Sequence, residues 1–168
     1  MKIRSMTRCA IFAAAMAVCA WLAVPMGQIA VSMQTFALFL TLGVLGGRLG
    51  TVTCLVYLCL GAVGLPVFTG FQGGLGHLMG PAGGYLWGFP MVAAVYWATE
   101  NRLPRWLGMG LGLLTCYCCG VGWYCFAYAE VDLLAGLLTC VGPYIVPDAI
   151  KITLALVVTD RLNTILER

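Results

Sequence analysis

Charge is scarce in this chain. Asp, Glu, Lys and Arg make up 9% of its 168 residues, against roughly 25% in an average soluble domain. So few charges cannot cover a water-soluble fold, and lipid must replace water over most of the exterior. Histidine is scarcer still. His77 stands alone, with no carboxylate–histidine constellation to suggest a metal centre or proton relay, and a place in a wet loop is expected for it. No Gly-Lys-Ser/Thr follows the glycine-rich stretch, so no phosphate loop is present for ATP. No nucleophile is paired with a general base, and no basic patch with interleaved aromatics suggests nucleic acid. The sequence therefore offers no catalytic residues, no metal ligands and no resident cofactor, and it does not read as an enzyme.

What the chain does have is apolar length: 62% hydrophobic residues and a mean hydropathy of +0.98. A spanning helix needs about 20 apolar residues, so the length accommodates roughly six spans with short connections. The reading is an all-α integral membrane protein, one domain over 1–168 with no room for a soluble one. The helices fall at about 8–24, 34–46, 50–64, 81–99, 106–126 and 147–161. Lys2, Arg4 and Arg8 precede the run Cys9 to Val24. This pattern fits a signal peptide cleaved near Val18 and Ala20, but the following segments are equally apolar, and an uncleaved first helix is the better reading. Gly46-Gly47-Arg48-Leu49-Gly50 forms a tight turn, and Pro66 follows the stop at Gly64. Pro81 and Pro147 open the fourth and sixth helices, and Glu100 to Arg105 forms a charged turn. A short apolar helix, Leu133 to Val141, is expected inside the last long connection.

Six spans put both termini and the even-numbered turns on one face. That face holds Lys2, Arg4, Arg8, Arg48, Arg102, Arg105, Arg161 and Arg168, eight of the nine basic residues. The positive-inside rule makes it cytoplasmic, in a multi-pass cell-membrane protein of bacterial type. The ninth basic residue, Lys151, lies near the outer face.

Nine cysteines are an odd number, and most sit inside apolar runs, which argues against a disulfide framework. Cys116 and Cys119 form a C-x-x-C, the one feature that would suit a membrane thiol oxidoreductase. Without a basic neighbour to lower a thiol pKa, Cys acting as a small hydrophobe between helices is the better reading.

The outer connections, 24–34, 64–81 and 127–147, are the long ones. Gly61 to Gly88 carries ten of the 22 glycines. The run Gly70-Phe71-Gln72-Gly73-Gly74-Leu75-Gly76 can either press bare amides against a ligand or serve helix packing and turns. Asp148 and Lys151 are spaced i, i+3 and share a helix face. Charges inside an apolar span pair, line a cavity or bind something. Two readings stand: an ion pair with Lys151 snorkelling outward, or a polar floor to an outward-facing cup. Gln34 and Thr35 can add neutral hydrogen bonds, and Phe68, Tyr85, Trp87, Tyr117 and Trp123 can form an aromatic wall. In the first helix, Ala10-x-x-x-Ala14 and Ala13-x-x-x-Ala17 each make a flat strip for close helix approach, inside the bundle or against a partner.

The segments Gln34-Thr35-Phe36, Gly61 to Phe68, Gly73 to Gly76, Gly80 to Phe89 and Pro147-Asp148-Ala149-Ile150-Lys151 together closely resemble the BioY biotin transporters. These are substrate-binding S components of energy-coupling-factor (ECF) transporters. The resemblance implies a six-helix S-component fold with an outward vitamin site that Asp148 and Lys151 line; Gln34, Thr35, Phe68, Gln72, Gly73, Gly74, Gly84 and Tyr85 are the further residues expected around biotin. It also implies partners: a membrane-embedded coupling subunit meeting Ala10, Ala13, Ala14 and Ala17, and two cytoplasmic ATPase subunits. Another small vitamin is the alternative ligand. Several relatives carry Asn or Arg in or just after the glycine-rich loop, where this chain has Gln72 and His77.

Overall fold

A computed structural model of the chain describes residues 3–25, 30–128 and 132–166. Helix α1 spans Ile3–Trp21. A small antiparallel hairpin of β1 (Ala23–Val24) and β2 (Val31–Ser32) follows, with Ala23 opposite Ser32. Then come α2 (Gln34–Ala62), a single turn α3 (Leu75–Leu78), α4 (Gly83–Thr99) and α5 (Arg105–Trp123), which a wide π turn extends to Tyr128. The short α6 (Leu133–Cys140) leads through a 3₁₀ turn, Gly142–Tyr144, into α7 (Ile145–Leu166).

α2 is a hairpin of two helical arms. Gly46 takes φ 76° and ψ 170°, a backbone conformation that side-chain-bearing residues avoid. Two contacts straddling it establish the reversal. Gln34 Nε2 donates to Tyr57 Oη at 2.6 Å, and Gly50 lies against Leu42. In a straight helix those pairs would be roughly 34 and 12 Å apart. The second arm resumes at Gly47, whose N–H donates to Glu100 Oε2 at 2.7 Å. A carboxylate there satisfies an otherwise unpaired helix N–H and suits the helix dipole. The turn expected over 46–50 is thus concentrated in one glycine.

Other boundaries differ for local reasons. The second arm ends at Ala62, and α4 starts at Gly83 after a bend. α7 starts at Ile145, so Pro147 sits in its first turn, where a missing N–H costs nothing, and it runs on past Arg161. The strands β1 and β2 have no counterpart in the sequence reading, because two-residue strands leave no periodic signal.

The six long helical segments are α1, the two arms of α2, α4, α5 and α7. α2 is central, packing against α1, α4 and α7, while α4 and α5 form the other close pair. Among the described residues, four helices are long and apolar enough to cross a membrane: Ile3–Trp21, Gln34–Ala62, Arg105–Tyr128 and Leu133–Ile165, the last two counted with their adjoining turns. The core is built from residues such as Met16, Leu42, Tyr57, Phe89, Val92 and Met109. Outside, Ile11, Val18, Leu55, Met91, Leu114 and Val157 are exposed. Apolar residues on both faces of the helices fit a lipid surround.

The two ends of the bundle differ. At one end the Gly46 turn meets Glu100, Cys9 Sγ approaches Leu49 O at 3.8 Å, and Arg105 pairs with Asp160 at 2.9 Å. Arg8, Arg48, Arg102 and Arg161 are nearby in sequence on the same elements. At the other end lie the β hairpin, the glycine-rich segment with α3, and α6. Trp21 ties two of these together. Its ring stacks on Phe71 at 4.7 Å and its Nε1–H donates to Pro66 O at 2.9 Å.

Candidate binding site at the loop end of the bundle

The elements that start or finish at the loop end surround a cavity of about 60 Å³. Ser32 comes from β2, Gln34 and Thr35 from α2, and Thr69 and His77 from the glycine-rich segment. Tyr85, Leu86 and Phe89 come from α4, Tyr144 from the 3₁₀ turn, and Asp148 and Lys151 from α7. Apolar walls with a few convergent polar groups are the usual make-up of a small-molecule site.

Asp148 and Lys151 form its floor. They are 4% and 6% exposed, and Lys151 Nζ donates to Asp148 Oδ1 at 2.9 Å. The i, i+3 spacing on the first turns of α7 makes this meeting unavoidable. Thr35 completes a triangle: its hydroxyl donates to Asp148 Oδ1 at 3.1 Å and accepts from Lys151 Nζ at 3.0 Å. Tyr117 of α5 donates to the other oxygen, Oδ2, at 2.8 Å. A carboxylate can accept about four hydrogen bonds, and an ammonium can donate three. Asp148 Oδ1 accepts from Thr35 and Lys151, Oδ2 accepts from Tyr117, and Lys151 donates to both Asp148 and Thr35. Both charged groups border the cavity. The pair is an ion pair, but Lys151 is buried and does not snorkel outward, and the pair floors a recess.

A second network supports the wall. Gln34 is 4% exposed; it donates to Tyr57 Oη, which in turn donates to Val67 O at 2.7 Å, and Thr69 Oγ1 lies 3.5 Å from Gln34 Oε1. The hairpin of α2 thereby fixes the start of the glycine-rich segment. Tyr85 donates from its hydroxyl to Cys140 O, linking α4 to α6 beside the cavity.

Of the residues expected around a ligand, Gln34, Thr35, Tyr85, Asp148 and Lys151 line the cavity together. Phe68, Gln72, Gly73, Gly74 and Gly84 stand outside its lining. Phe68 is fully buried, edge-on to Tyr57 at 5.6 Å and stacked with His77 at 5.3 Å. Gln72 Oε1 lies 2.6 Å from His77 Nδ1. Gly73 is pressed against the Leu65 carbonyl, and Gly84 sits where α4 crosses the backbone of α5 at Cys119 and Gly120. Gly74 donates its N–H to Gly61 O at 2.6 Å. These glycines therefore serve close packing and loop closure. The Gly74 amide is spent on Gly61 and so seats the loop on the bundle.

The aromatic wall also sorts itself. Trp87 is 44% exposed, on the outside of α4, and Trp123 donates to Gly80 O at 3.0 Å, bracing the loop. His77, expected in a wet loop, is half-buried and lines the cavity. Tyr144, Ser32 and Thr69 are further lining residues that sequence reading missed. Nothing in the alternation of apolar residues singles out one hydroxyl as inward-facing, although Tyr144 lies one helical turn before Asp148.

The two alanine strips part company. Ala13 and Ala17 are buried in the core, whereas Ala10 and Ala14 are exposed. A partner can reach only the second pair, because α2 already occupies the first. Cys116 is buried and approaches Tyr85 O at 3.9 Å, while Cys119 Sγ lies 3.5 Å from Met91 Sδ. No charged group accompanies either in these contacts, so the C-x-x-C gains no support as a redox centre.

A lipid-facing helical bundle with a charged recess at one end is an integral membrane protein of the solute-handling kind. The chain belongs to the BioY family, matching the family model over residues 1–168. It is 36% identical over 164 residues to the probable biotin transporter BioY of Pyrococcus horikoshii, covering 97% of this chain and 98% of the relative. It is 35% identical over 165 residues to the biotin transporter BioY of Thermotoga maritima, covering 96% of each. Among solved structures, it is similar to the crystal structure of the S-component for biotin from an ECF-type ABC transporter. The TM-score is 0.86 and the identity 26%, over 97% of this chain and 92% of that one.

Proposed function

We propose that this protein is the biotin-binding membrane subunit of an ECF uptake transporter, with the cavity above Asp148 and Lys151 as the vitamin site. The observation that carries the assignment to this site is a buried carboxylate and a buried ammonium side by side in the cavity lining. A carboxylate acceptor and an ammonium donor, held side by side, complement one N–H and the carbonyl of a ureido group. The apolar side of the bicycle fits against Leu86, Phe89 and the face of Tyr85, all lining residues. Rejection of analogues follows, because a ligand without the ureido leaves buried polar groups unpaired.

Arg8, Arg48, Arg102, Arg105 and Arg161 gather at the end opposite the cavity, with Lys151 the exception, so the site faces outward and both termini face the cytoplasm. Energy comes from outside the chain: a membrane-embedded coupling subunit that carries two cytoplasmic ATPase subunits. The exposed small residues Ala10 and Ala14 on α1 are the part of the surface suited to close approach by a coupling helix.

Calorimetric titration of the purified protein tests this reading, run with biotin and with other small vitamins as competitors. Saturable binding of biotin that the others do not displace is the expected result. Tight binding of a different vitamin would move the assignment to that ligand, and no binding of any would remove it.

A further inference from the structure

The floor of the cavity is poorly suited to an anion. Lys151 is already neutralised by Asp148 at 2.9 Å, so a ligand carboxylate brought there would meet a carboxylate. Among the described residues, the ion pairs are that one and Arg105–Asp160 at the far end. The other group in the lining able to carry positive charge is His77.

Its ring is held from two sides. Phe68 stacks on it at 5.3 Å with the planes 19° apart, and Phe68 is itself fixed by Tyr57. Gln72 Oε1, an acceptor, faces Nδ1 at 2.6 Å, so with Gln72 in this orientation Nδ1 carries the hydrogen. Nε2 is the nitrogen left for a ligand, and in the neutral ring it presents a lone pair.

We propose that His77 is the residue that receives the carboxylate of the ligand, and that it does so as an imidazolium, so that binding takes up one proton from solution. The proposal rests on the biotin reading and adds an orientation: ureido at the Asp148–Lys151 floor, carboxylate toward His77 at the mouth. Burial lowers the pKa of His77 from its ordinary value, which keeps the ring neutral before a ligand arrives. A carboxylate beside Nε2 favours the charged form, and the proton follows the anion in. Around the same cavity, the other titratable groups are Tyr85 of α4, Tyr144, and the Asp148–Lys151 pair of α7, with Tyr57 of α2 behind Phe68. Tyrosine ordinarily stays neutral below about pH 9, and imidazole is the side chain whose ordinary pKa lies near neutrality.

The test is calorimetric titration of the full-length protein in detergent, at about pH 6 and about pH 8, the range over which imidazole titrates. Buffers of different ionisation enthalpy report the protons exchanged. Biotin is compared with biotin amide, which keeps the ureido and loses the charge. Expected at the higher pH are uptake approaching one proton per biotin, none for the amide, and biotin affinity falling up to about tenfold per pH unit. His77→Gln should abolish the uptake and weaken biotin by about tenfold or more, with the amide unchanged. Biotin binding without proton uptake, or uptake that survives in His77→Gln, overturns the role of His77 while leaving the site intact. Absence of biotin binding to the unaltered protein overturns the biotin reading and this inference with it.

Discussion

Tyr117 and Asp148 meet where α5 packs against α7, the tyrosine hydroxyl donating to Asp148 Oδ2 at 2.8 Å. Tyr117 is not part of the cavity lining, so its contribution to binding passes through the carboxylate it holds. Tyr117→Phe keeps the ring and removes the bond. A hydrogen bond to a charged acceptor contributes about 1.5–3 kcal/mol. Biotin affinity should fall by roughly ten- to a hundredfold with the fold retained. Unchanged affinity in a titration would show that Asp148 needs no such support.

The ion pair makes its own prediction. Removing one partner of a buried pair leaves an uncompensated charge and costs about 3–5 kcal/mol. Lys151→Met and Asp148→Asn should each lower the thermal unfolding temperature in detergent and weaken biotin binding. The double substitution should be less destabilised than the sum of the two. Strict additivity would mean the side chains do not interact as described.

The hairpin of α2 depends on Gly46. Alanine there is forced into backbone that costs about 1–3 kcal/mol. Gly110 of α5 has open space around it, so Gly110→Ala is the matched control. Thermal unfolding should separate the two, with Gly46→Ala clearly lower; equal stability would argue against a sharp reversal at that residue.

The alanine strips on α1 offer a separation of folding from assembly. Ala13 is buried, and enlarging it to Leu overpacks the contact with α2 by about 1–3 kcal/mol. Ala14 is exposed, and Ala14→Trp should leave stability and biotin binding alone while preventing co-purification with the coupling subunit. Normal co-purification of Ala14→Trp would place the partner surface elsewhere.

Much of this architecture was legible because its causes are local. Scarce charge and long apolar runs define the helices, and Gly and Pro mark their ends. Asp148 and Lys151 announce themselves as charges in an apolar span, and their spacing alone puts them on one face. Thr35 and Gln34 follow from their place at the head of a helix. The rest depends on which helices are neighbours, and no local pattern encodes that. Tyr117 joins the floor only because α5 packs on α7. His77 reaches the cavity only because Phe68 and Gln72 seat the loop beneath it. The glycines at 73 and 84 look the same in sequence whether they admit a ligand or a neighbouring backbone, and the fold uses them for the latter.

The central claim is that biotin occupies the recess above the α7 pair. An experimental structure of the protein with biotin tests it most directly. Ureido atoms are expected within about 3 Å of the Asp148 carboxylate and Lys151 Nζ, with the carboxylate tail running toward His77. Density for biotin on any other surface, with this recess closed around unaltered side chains, would contradict it.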